Sequence, residues 1–122
     1  MNGPVTILVL DPQPVSAVKK ALDAPDRLIV VVQTPSLARH ALNTMVVSVW
    51  ICDLNTPGVD VQSLVSIAKY TSPGVQILFT GTKLMAMKAD NLVRNGHGNG
   101  FFARPFSTLD IRKVVAEALA AN

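Results

Sequence analysis

A single cysteine, Cys52, in 122 residues excludes an intramolecular disulfide framework and a cysteine-built zinc site, and it suits a reducing compartment. Aromatic side chains make up only 5% of the chain, too few for a platform that stacks single-stranded nucleic acid. Long hydrophobic runs are missing too. Leu28–Val32 and Met45–Cys52, the latter broken by Ser48, fall far short of the ~20 residues of a membrane helix. The opening Met1-Asn2-Gly3-Pro4 lacks a basic n-region, so no secretory signal is expected. Eleven Lys+Arg against eight Asp+Glu give a net charge of only +3. Basic residues adjoin only at Lys19-Lys20 and Arg112-Lys113, both in helical patterns where a solvated face explains them, so direct nucleic-acid binding is not expected. What is abundant is apolar: 49% hydrophobic residues and a mean hydropathy of +0.37 exclude disorder. The expectation is one cytoplasmic domain spanning residues 1–122.

Two hydrophobic periods alternate along the chain. Val5–Leu10, Leu28–Val32, Val46–Cys52, Val75–Phe79 and Phe101-Phe102-Ala103 are short, nearly unbroken apolar runs, the pattern of strands buried on both faces of a parallel sheet. Between them the period is helical. Val15, Val18 and Leu22 mark a first helix, and Leu37, Ala38, Ala41 and Leu42 a second. Val61, Leu64, Val65 and Ala68 mark a third. Met85, Ala89, Leu92 and Val93 form a ragged fourth stripe, and Ile111, Val114, Val115, Ala118 and Leu119 a fifth. Thr34-Pro35 reads as an N-cap with proline in the first turn. Ser107-Thr108-Leu109-Asp110 has capping-box spacing, and Ser72-Pro73-Gly74 ends the third helix. Five β-α units with short connections predict a doubly wound three-layer sandwich.

Ligands of such folds collect at the carboxyl ends of the strands. The residues there are Asp11-Pro12-Gln13-Pro14, Gln33-Thr34, Asp53 to Gly58, Thr80-Gly81-Thr82 and Arg104-Pro105-Phe106. Asp11 has two readings, a helix N-cap or a site carboxylate. Asp53 ends the most hydrophobic strand ahead of a Pro57-Gly58 turn that would expose it. A carboxylate beside another carboxylate and a cation can bind a divalent metal or act as a nucleophile.

The segments Ile7–Pro14, Asp53–Asp60, Ile77–Gly81 and Phe101–Phe106 resemble, in order and in spacing, the receiver domain of two-component response regulators. The resemblance implies a flavodoxin-like (βα)5 fold with strand order 2-1-3-4-5, a non-enzymatic signalling role, and Asp53 as acceptor of a phosphoryl group from a sensor histidine kinase or phosphotransfer protein. It implies Thr80 as the hydroxyl that contacts that group, Phe101 as the switch aromatic, and a changed surface on helix 4, strand 5 and helix 5. It further implies Mg2+ held by Asp11, Asp53 and Asn55, and partners that include a homodimer or a C-terminal effector domain beyond Ala120-Ala121-Asn122.

Two positions depart from the family's pattern. Pro12 stands where a second acidic residue is usual and offers no side-chain ligand, which weakens magnesium binding. Arg104 stands where the family has lysine. It keeps the charge but is planar, never deprotonated and suited to bidentate carboxylate pairing, so it can bridge to Asp53 or Asp11. Two mechanisms stay open: slow phosphorylation of Asp53 with reduced metal dependence, or a phosphorylation-independent pseudo-receiver that acts by binding or dimerising. Asn95-Gly96-His97-Gly98-Asn99-Gly100 lacks phosphate-loop spacing and reads as a mobile connector. The segment after the first strand is not a flavin loop. His40 and His97 lack metal partners in the sequence, and Cys52, Trp50 and the Met85/Met87 region read as packing.

Overall fold

The computed structural model describes residues 5–14 and 16–121. Its sheet contains β1 (Val5–Leu10), β2 (Arg27–Val32), β3 (Val49–Asp53), β4 (Gln76–Thr82) and β5 (Gly100–Arg104). Every pairing is parallel and the order is β2-β1-β3-β4-β5, which is the topology expected from the sequence. The helices are α1 (Ala17–Leu22), α2 (Pro35–Thr44), α3 (Val61–Thr71), α4 (Ala86–Arg94) and α5 (Thr108–Ala121), with a 3-10 turn over Lys83–Met85 leading into α4.

The unbroken apolar runs follow from having helices on both faces. Ile7, Val9, Val49, Ile51, Leu78 and Phe102 point toward α1 and α5. Leu8, Leu10, Trp50, Cys52, Ile77 and Phe79 point toward α2, α3 and α4. Side chains alternate with period two, so both parities of the central strands are apolar until the polar residues toward their carboxyl ends. β2 lies at one rim of the sheet and is only half-buried, with Leu28 exposed.

Caps fix the helix starts. The Thr34 hydroxyl accepts from the Leu37 amide at 3.2 Å, ahead of Pro35. Ser107 and Asp110 exchange reciprocal bonds of 3.0 and 3.2 Å, the capping box expected from their spacing. Ser72 caps the end of α3 as expected. The cap of α1 is Ser16, whose hydroxyl accepts from the Lys19 amide; Val15, counted in the first stripe, lies outside the described residues.

Strand bounds shift where side chains intervene. Val46 and Val47 are not in β3, because the Val47 amide donates to the Ser72 hydroxyl at 2.8 Å and not to a strand. β4 runs three residues beyond Phe79, carrying Thr80 and Thr82 into the ladder beside β5. Among the described residues no helix is long and apolar enough to cross a membrane.

Candidate functional site

The alternation of β1, β3, β4 and β5 decides which polar groups meet. Asp11 follows Ile7 and Val9 in parity, Asp53 follows Val49 and Ile51, Thr80 follows Leu78, and Arg104 follows Phe102. Each ends the apolar run on the α1/α5 side of its strand. A small cavity of about 80 Å³ is lined by all four, together with Gln13 and Phe106.

Arg104 is the hinge of the arrangement. Its Nη1 donates to Asp53 Oδ2, and its Nη2 donates to Asn55 Oδ1 at 3.2 Å. Of the two partners anticipated for Arg104, Asp53 is the one engaged. Asp53 is only 1% exposed, whereas the Arg104 side chain is 33% exposed. The carboxylate is therefore the desolvated member and the guanidinium its compensation. Asp53 Oδ1 accepts from the Asn55 amide at 2.8 Å, and the Asp53 carbonyl accepts from the Thr56 hydroxyl at 2.7 Å.

Asp11 is not a helix cap. Its Oδ1 accepts from the Gln13 amide at 3.0 Å, a local turn that leaves the carboxylate on the cavity wall. Thr80 pairs in register with Asp53, yet its hydroxyl donates to the Phe102 carbonyl at 2.9 Å. Phe101 takes the other parity: it is half-buried against the α2–α4 core and does not line the cavity. Phe102 lies on the cavity side of β5, with Phe106 edge-on at 5.2 Å.

Asp11, Asp53 and Asn55 as arranged do not make a magnesium donor set. Both Asp53 oxygens accept from this chain's own donors. Asn55 Oδ1 accepts from the Thr82 amide at 2.8 Å as well as from Arg104. Pro12 supplies no ligand, and a divalent ion would sit against a guanidinium. Among the described residues no three His, Cys, Asp or Glu side chains cluster as metal ligands.

Sequence reasoning places Gly81 and Thr82 at this edge but gives neither a role. A Cβ on Gly81 would lie 2.7 Å from Asn55 Oδ1, so this glycine makes space for the amide. The signal available for it is a glycine directly after a strand-end threonine. Met85 packs on the core as expected, but Met87 is exposed.

Cys52 precedes Asp53 and faces the opposite core. Burial pushes its thiol up from 9.0 to about 12; the Asp53 charge adds to this and Lys88 opposes it. An unfolded thiol ionises near 9 while the native one keeps its proton, so stability is undiminished below that pH and falls as pH rises toward 12. Urea midpoints should decline between about pH 9 and about pH 11 more steeply in the wild type than in Cys52→Ala. Equal slopes would reject the assignment.

No protein-family model matches the chain, and no curated protein matches it by sequence. Solved structures do. The structure described as adenylate cyclase from Rhodopirellula baltica superposes with TM-score 0.84 at 19% identity, over 97% of this chain and 89% of that one. The signal receiver domain of an HD domain-containing protein from Pseudomonas fluorescens Pf-5 gives 0.82 at 15%, over 96% and 95%. A CheY-like response regulator receiver domain protein from Methanospirillum hungatei JF-1 gives 0.81 at 16%, over 97% and 95%. With this topology and these likenesses, the chain has the flavodoxin-like fold of response regulator receiver domains.

Proposed function

We propose that this chain is a receiver-type signalling domain, not an enzyme, that acts as a protein-interaction module without phosphoryl transfer. The observation that carries this reading is the fork of Arg104 between Asp53 and Asn55. Phosphoryl acceptance needs an accessible in-line carboxylate and cations free to neutralise the incoming oxygens. Here the carboxylate is buried and already paired with the local cation.

The docking face is the 3-10 turn and the start of α4, where Leu84 is 90% and Met87 77% exposed, with Lys83 and Lys88 beside them in the sequence. Apolar side chains held in solvent at helical spacing favour a protein partner. By analogy with the signal receiver domain of the HD domain-containing protein, the partner is an effector or a signalling protein of the same cytoplasmic pathway.

A second reading keeps Asp53 as phosphoacceptor from a histidine kinase, with Thr80 and Arg104 contacting the phosphoryl group and Phe101 following. It draws support from Asp53 ending β3 beside Thr80 and sharing a cavity with Asp11. One experiment separates the two. After incubation with phosphoramidate and Mg2+, intact mass should show wild type unmodified. The Pro12→Asp/Arg104→Lys variant should gain one phosphoryl group and bind Mg2+ more tightly, since it regains a carboxylate and loses the fork. Wild type gaining a phosphoryl group that Asp53→Asn does not would establish the second reading.

A further inference from the structure

We propose that the outer edge of β2 pairs antiparallel with β2 of a second copy of this chain, joining two sheets edge to edge. This rim lies across the sheet from β5, against which α4 packs, and the pairing is independent of Arg104.

The main chain gives the first reason. Among the described residues β2 has one neighbour, β1. The Val5 amide donates to the Asp26 carbonyl at 3.2 Å, and the Asp11 amide to the Val32 carbonyl at 3.0 Å. Bonds to one neighbour recur at every second residue, so Leu28, Val30 and Val32 direct their backbone groups at β1. The amides and carbonyls of Ile29 and Val31 therefore face outward. So does the Arg27 carbonyl, while the Arg27 amide donates to the Ala24 carbonyl at 3.2 Å. An added strand satisfies such a row of donors and acceptors.

The side chains give the second. Edge strands are usually guarded by lysine, proline or a bulge, yet between Arg27 and Gln33 this edge reads Leu-Ile-Val-Val-Val. Leu28 is 53% exposed and shares the parity of Val30 and Val32, which pack on the α2–α4 core. Leu37 of α2 is 52% exposed. Arg39, about 160° round the helix from it, reaches Ser63 on α3, so Leu37 projects from the side of α2 away from α3. Both leucines thus flank the β2 rim on one face.

Symmetry selects the occupant. With a two-fold axis at Val30, Ile29 and Val31 exchange their outward bonds with the partner's Val31 and the partner's Ile29. Leu28 packs on the partner's Val32, and Val30 meets its symmetry mate. Arg27 lies opposite the partner's Gln33, so no like charges are opposed. Moving the axis to Ile29 would instead set Arg27 against the partner's Val31. The contact is isologous, and it brings the two α2 helices together over Leu37.

Sedimentation equilibrium of the full chain tests this. Interfaces below about 1,200 Å² are weak, so a monomer–dimer equilibrium with Kd of about 100 µM is expected. Leu28→Lys, at an exposed position, should weaken association about tenfold, because the axis doubles the substitution. Val31→Pro removes an outward donor and no β1 bond, and should weaken it as much. Leu84→Lys should leave it unchanged. Register is read by disulfides in a Cys52→Ala background. Val30→Cys should cross-link two copies, since Cα atoms of a non-hydrogen-bonded pair lie about 4.5 Å apart. Leu28→Cys should not, being about 13 Å from its mate. Should Val31→Pro unfold, Leu28→Lys and the cross-links still decide. The proposal is overturned by a chain that stays monomeric at about 1 mM, ten times the expected Kd, which would leave the edge to a strand of another protein. It is equally overturned by a dimer that survives Leu28→Lys, by one lost in Leu84→Lys, or by equal cross-linking at 28 and 30.

Discussion

Arg104→Ala is expected to lower the unfolding free energy by about 3 kcal/mol, the lower end of what removal of one partner from a buried ion pair costs. The lower end applies because the guanidinium is one-third exposed while Asp53 is almost wholly buried. Water can reach Arg104 but cannot take over the carboxylate once the arginine has gone. The converse substitution follows different arithmetic. Asp53→Asn removes the desolvated charge, leaves Arg104 partly hydrated, and keeps an oxygen to accept from the Asn55 amide. Its cost should be about 1 kcal/mol or less. In Asp53→Asn/Arg104→Ala most of the single-variant loss should be recovered, a coupling measurable by urea denaturation of the full cycle. Equal costs for the two single substitutions would contradict the asymmetry.

Gly98→Ala should cost about 2–3 kcal/mol. A Cβ at this position would sit 2.2 Å from Cε2 and 2.8 Å from Cζ of Phe79, a ring with no exposed surface. The ring cannot move aside without disturbing the core under α2–α4, so the loop must shift. Asn99 opposes that shift, because its amide donates to the Ile77 carbonyl at 2.7 Å and its Oδ1 accepts from the Ile77 amide at 2.8 Å. Gly96 is a useful contrast. It has φ +79 but open space around it, so Gly96→Ala should cost only the left-handed backbone strain, about 1 kcal/mol. Thermal melts of the two variants compare steric overlap with backbone strain inside one loop.

That loop also shows where reading the sequence stops short. A run of polar and glycine residues before a strand suggests a mobile connector, since composition marks a loop but not what packs beneath it. Only the fold places Phe79 under Gly98. The caps at Thr34 and Ser107 and the gathering of Asp11, Asp53, Thr80 and Arg104 were legible, because spacing and strand-end position point to them, whereas the strand order was legible only through the resemblance to receiver domains. The Arg104–Asp53 contact was legible as one of two options. What could not be read was the orientation of short polar side chains. Thr80 turning to the Phe102 carbonyl and Asn55 turning to Thr82 depend on hydrogen bonds across neighbouring strands. The roles of Phe101 and Phe102 are separable in principle, because adjacent strand residues face opposite layers.

The counter-ion of Asp53 is attached to the chain by its own side chain. A dissolved cation occupies a carboxylate in proportion to its concentration, and a chelator strips it away. A tethered one has an effective concentration set by geometry alone, and arginine does not surrender its proton at any physiological pH. The neutralised state of this pocket is thereby insulated from the ionic composition of its surroundings.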